Sequence, residues 1–151
     1  MASALFDTGR HYAAGDKMGM HAMTLRSFFT ILAVLSFLFG IGFVLAPSQV
    51  LANYGIETSP ALALVGRLFG GVLLTLSVIL WLAKDFRDDA AVRAVLLGAL
   101  LGDVVNLVVA AMGTLSGTSN ALGWSTVVIY LYGTLGSGYF LVAQTSRLSA
   151  R

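Results

Sequence analysis

Four long apolar runs separated by short polar stretches set the plan of this chain. The first runs from about Ser27 to Ala46 (SFFTILAVLSFLFGIGFVLA) and is closed by Pro47. The second opens at Ser59-Pro60, a serine cap followed by proline at the first helical position, and continues to Ala83. The third covers about Ala90 to Gly113 and the fourth about Asn120 to Gln144. Each run reaches the roughly 20 residues that a helix needs to cross a bilayer's hydrocarbon. The pattern predicts an all-α fold, a four-transmembrane-helix bundle running antiparallel, up-down-up-down. Residues 1–26 form an N-terminal segment, 27–146 the membrane domain and 147–151 a tail. The signal-peptide reading of the first run fits poorly, because the run exceeds the usual 7 to 15 apolar residues and follows 26 others.

Composition agrees with the pattern. Of the 151 residues, 58% are hydrophobic and only 11% charged, against about 25% charged in soluble domains. The basic residues are distributed one-sidedly. Arg10, Lys17 and Arg26 precede the first span; Lys84, Arg87 and Arg93 lie around the loop between the second and third; Arg147 and Arg151 follow the fourth. The two other loops, PSQVLANYGIETSP and TLSGTSN, carry Glu57 as their sole charge. The excess of lysine and arginine on one side predicts that both termini are cytoplasmic. The expected location is the plasma (inner) membrane, as a multi-pass protein. Topology accounts for the net charge of +2 and pI near 9.2, so no nucleic-acid partner is expected.

Inside the spans, polar side chains are few. Arg67 stands in the second and Asp103 in the third, with Asn106 one turn further along. Six residues (KDFRDD) join these spans, which predicts that the two pack as a hairpin. Levelling Ala83 with Ala90 sets Arg67 opposite Asn106 and puts Gly70 and Gly71 opposite Asp103 and Gly102. Two GxxxG patterns, Gly66 to Gly70 and Gly98 to Gly102, then coincide in height and form the expected spine of the fold. Three readings of Arg67 remain open: a side chain snorkelling to the near interface, an ion pair with Asp103 completed by Asn106, or a partner to Asp103 acting as a proton or cation site. Asp103 is too short to snorkel, so it pairs, becomes protonated or faces water. In the fourth span, Gly133, Gly136, Gly138 and Ser137 thin one side, which could receive a neighbouring helix or a flat ligand, the helix being the expected occupant on packing grounds.

Chemistry is sparse. The absence of cysteine excludes disulfides and thiol catalysis, and His11 and His21 both lie before the first span. Neither a hydrolase nor a phosphate-binding motif occurs, and no base stands beside the span serines to activate them. No catalytic residue, metal site or cofactor is expected; the expected partners are membrane lipids and other transmembrane subunits, or self-association.

The stretches FGIGFVLAP, GRLFGG and NALGWSTVVIYLYGTLGSGYF resemble those of small four-helix bacterial membrane proteins grouped in domain-of-unknown-function families. The resemblance spans about residues 25 to 145 and implies the four-helix fold without an activity. Where such proteins are expected to carry a carboxylate just before the arginine of the second span, this chain has Val65 and Gly66. The leading functional expectation is a non-enzymatic accessory or assembly subunit of a larger membrane complex. The alternative is a small oligomeric transporter or channel using Asp103.

Overall fold

The computed structural model describes residues 24–149, with backbone alone from residue 145. The N-terminal segment up to residue 23, with Arg10, His11, Lys17 and His21, lies outside the described residues, as do Ala150, Arg151 and the side chain of Arg147. Among the described residues the chain is all helical: α1 (Leu25–Leu45), α2 (Pro47–Asn53), α3 (Pro60–Ala83), α4 (Asp89–Leu115) and α5 (Gly123–Ser149). Four of these helices are long and apolar enough to cross a membrane: α1, α3, α4 and, within α5, Gly123–Gln144.

The starts are set by capping side chains. Thr24 accepts from Ser27 N at 3.1 Å, Ser59 from Leu62 N at 3.2 Å and Asp88 from Ala90 N at 2.8 Å, each satisfying an otherwise free helix N–H. Asp89 adds a favourable negative charge to the first turn of α4. The short α2 replaces part of the expected loop. Proline at its first position has a preset φ and lacks only an N–H that the first turn leaves free, so Pro47 ends α1 and starts α2. The fourth span starts later than expected. Asn120 remains in the preceding loop, where its side-chain oxygen accepts from Leu122 N at 2.9 Å, and α5 begins at Gly123.

The pairing of helices departs from the expected hairpin. α1 packs along α3 and α4 along α5, whereas α3 and α4 touch sparingly despite the short loop between them. Chain proximity lost to fit. The glycine face of α3 is filled by α1: a Cβ added at Gly70 would lie 2.8 Å from the Gly40 carbonyl oxygen and 2.9 Å from Phe43 and Val44. At Gly66 the neighbours are Pro47 and Phe43. Backbones this close gain dispersion contacts that lipid cannot match. Phe43 also meets the edge of Phe69, with ring centroids 5.2 Å apart.

One cluster joins the two pairs. Phe28, Phe29, Leu32 and Ala33 of α1 pack with Leu80 and Ala83 of α3 and with Val92 and Leu96 of α4. Phe28 lies 5.6 Å from Tyr132 and 5.4 Å from Phe140 of α5, ring to ring. Gly136 has room for no side chain because Phe28 occupies the space. Much of the remaining apolar surface faces outward, including Leu38, Leu68, Val72, Leu101 and Leu135. Such an exterior would be an aggregation hazard in water and is ordinary against lipid.

Candidate functional site: a cleft between two helix pairs

Between the α1/α3 pair and the α4/α5 pair lies a cleft of about 520 Å³, within the common range of small-molecule sites. It exists because the pairs are tied at both ends and part in the middle. At one end stands the Phe28 cluster. At the other, Asn120 Nδ2 donates to the carbonyl of Asn53 at 2.9 Å, and Asn120 N donates to the carbonyl of Tyr54 at 2.8 Å. Thr126 Oγ1 donates to the Tyr54 hydroxyl at 3.1 Å, binding α5 to the end of α2. The turn that presents these carbonyls passes through Gly55 at φ +75°, a left-handed conformation that glycine adopts freely.

The lining is largely apolar. Leu32, Phe39 and Phe43 come from α1, and Phe69, Leu73 and Leu76 from α3. α4 supplies the polar centre: Asp103 and Asn106 both line the cleft, three residues apart on one helical face. Asp103 is the fifteenth of 27 residues in α4, so it sits at mid-helix. Its Oδ2 is buried with no hydrogen-bond partner among the described residues. That oxygen fits against α5 only because position 133 is glycine, since any Cβ there would strike the carboxylate. Tyr130 also lines the cleft and lies within electrostatic reach of Asp103 and Tyr54. Among the described residues, no arginine, lysine or histidine lines the cleft.

Arg67 is placed elsewhere. It is exposed, outside the cleft, and the one ion pair found among the described residues joins Arg26 to Asp85 at 3.3 Å. Sequence reasoning put Arg67 level with Asn106 and near Asp103, but that geometry required α3 and α4 to pack along each other. The two glycine patterns separate for the same reason. Gly66 and Gly70 are buried against α1, whereas added Cβ atoms at Gly98 and Gly102 would meet nothing within 4 Å. Gly71 is likewise open. In α5 the thin side is occupied: Asp103 fills the space at Gly133 and Phe28 that at Gly136, while Gly138 has no near neighbour. Ser137 is fully buried and its hydroxyl has no partner.

Sequence reasoning missed the cleft and its two fastenings. Asn120 read as the first residue of a span, and Phe28 as one apolar residue among many. The signal for the α1–α3 contact was present in FGIGF, where Gly40 supplies the close approach.

Chemically, the cleft can neutralise and hold. It offers one carboxylate, one carboxamide and hydroxyls in apolar walls, and no nucleophile with an adjacent base. Among the described residues no three carboxylate, histidine or cysteine side chains gather as a metal site would require. The chain matches no family model, no curated protein and no solved structure.

Proposed function

We propose that this membrane protein is a non-enzymatic carrier or channel whose working group is Asp103, taking up a proton or a cation in the cleft. The observation that carries the reading is a buried carboxylate oxygen with no partner among the described residues, in a cleft to which those residues contribute no basic side chain. An intramembrane carboxylate without a counter-ion is costly, and a proton or an incoming cation relieves that cost. The bundle runs up-down-up-down with both termini cytoplasmic in a plasma (inner) membrane. Eight of the nine basic residues fall before or in the first turn of α1, around the α3–α4 loop or after the fourth span, which supports that orientation. The Arg26–Asp85 pair at one end of the bundle and the Asn120–Asn53 bond at the other support the alternation.

Flux measurements test the proposal. Full-length protein in liposomes containing a pH-sensitive dye is expected to dissipate an imposed proton or monovalent-cation gradient faster than protein-free vesicles. Asp103→Asn should return the rate to that of the empty vesicles. Equal rates for both proteins would overturn the proposal.

A second reading, an accessory or assembly subunit, is favoured by a different surface. Arg67, Gly71 and Thr75 follow at four-residue spacing on α3, and all three are exposed. The Thr75 hydroxyl is satisfied by the Gly71 carbonyl at 3.1 Å, but the guanidinium is in no ion pair found among the described residues. A small-residue seam with a charge is suited to another transmembrane helix carrying a carboxylate, from a second copy or another subunit. Native purification in mild detergent distinguishes the readings. Co-purification at fixed stoichiometry that is lost with Arg67→Leu supports the subunit role; recovery alone as a monomer removes it.

A further inference from the structure

We infer that the cleft binds a lipophilic organic monocation, its charge beside Asp103 and its apolar body against Phe39, Phe43, Phe69 and Leu73. The inference rests on Asp103 being the ionic site proposed above and adds the class of molecule. Three observations lead to it.

The first is size. About 520 Å³ far exceeds what a proton or a bare inorganic ion fills, a water molecule's share of liquid being about 30 Å³. The second is the character of the walls. Most donors and acceptors stand on α4, α5 and the loop between them, with Tyr54 at the end of α2, while apart from Ser36 the α1 and α3 walls are leucine and phenylalanine. An inorganic cation is held by several oxygens that replace its hydration shell; the carboxylate, the carboxamide and most of the hydroxyls stand on one side of the cleft and leave the apolar walls opposite without a role. A diffuse organic cation is weakly hydrated and accepts aromatic faces in place of oxygens. The third is charge. With Asp103 inward and no basic residue in the lining, an anion of equal size meets a carboxylate and no compensating group. The space is kept open by glycine, because Gly98 and Gly102 line the cleft with no neighbour at their Cβ positions.

Tetraphenylphosphonium and tetraphenylborate, matched in shape and opposite in charge, provide the probes. Radiolabelled tetraphenylphosphonium should bind purified full-length protein saturably in equilibrium dialysis, and tetraphenylborate should fail to displace it. Asp103→Asn should weaken binding about tenfold or more, with Arg67→Gln unchanged. Gly98→Leu with Gly102→Leu retains the carboxylate but fills the cavity, and should abolish binding. Since that double variant tests the cleft without touching Asp103, a folding defect in Asp103→Asn does not shield the inference. Displacement by tetraphenylborate, or full binding by the filled variant, would overturn it. Absence of binding alongside Asp103-dependent proton or cation flux removes the organic ligand and leaves the carrier reading standing; absence of both removes the two together.

Discussion

Two glycine pairs with the same four-residue spacing meet opposite fates in this bundle. Gly66 and Gly70 on α3 are pressed against α1, with the Gly40 carbonyl at 2.8 Å from a would-be Cβ of Gly70. Gly98 and Gly102 on α4 face an open cleft. The motif records only that a helix surface is flat. A flat surface permits close packing where a complementary backbone arrives, and leaves a void where none does. Gly40 and Phe43 are the arriving groups for α3, and α4 turns its other residues toward α5.

The largest predicted effect follows from the packed pair. Gly70→Ala places a methyl against a backbone oxygen that cannot rotate away, so the α1–α3 contact must separate. Overpacking of this kind costs typically about 1 to 3 kcal/mol, visible as a lower midpoint in thermal or SDS unfolding of the detergent-solubilised protein followed by circular dichroism. No loss of stability would mean that α1 and α3 lie further apart.

Next in size is Gly133→Ala, which drives a methyl into the Asp103 carboxylate and should cost about 1 to 3 kcal/mol. The two sites differ in one respect, because a carboxylate can be shortened where a backbone cannot. Asp103→Ala in the same chain should recover most of the loss, a coupling of about 1 kcal/mol or more in a double-mutant cycle. Strict additivity would place Asp103 away from α5. Asn120→Ala comes third: it frees the Asn53 carbonyl from the side-chain bond at 2.9 Å. The site is exposed to water, so the expected loss is about 0.5 to 1.5 kcal/mol, with greater amide-hydrogen exchange at Leu122, which loses its acceptor, and at position 120, which donates to the Tyr54 carbonyl. Protection unchanged at both amides would argue against the fastening.

These sites also mark what was legible in the residues. Length, apolar content and caps such as Ser59-Pro60 give the spans to within a few residues, because a bilayer fixes helix length and a free N–H demands a partner. Lateral pairing was not legible. In lipid every helix face is apolar, so hydropathy does not say which face meets which neighbour, and loop length favoured a pairing the packing does not use. Arg67 and Asp103 therefore looked like partners, although one faces outward and the other inward. Asp103 and Asn106 were legible as candidates because carboxylates in spans are rare, and both line the cleft. The cavity beside them was not, since a void depends on all four long helices and on the distant contacts of Phe28 and Asn120.

The smallest expected effect carries the opposite sign. Gly98→Ala adds a methyl where nothing lies within 4 Å, so no contact has to yield. Within a helix, alanine loses less conformational freedom than glycine, and the change is worth up to about 1 kcal/mol of stabilisation. The midpoint of unfolding should hold or rise slightly, beside the fall produced by Gly70→Ala. The pair of measurements separates spacing from packing, because both substitutions alter the first or last glycine of an identical motif by the same atoms. A matching fall at Gly98 would show that α4 is packed there as tightly as α3 is at Gly70. The cleft would then be closed at its middle, and Asp103 would lose the space on which both a carried cation and a bound one depend.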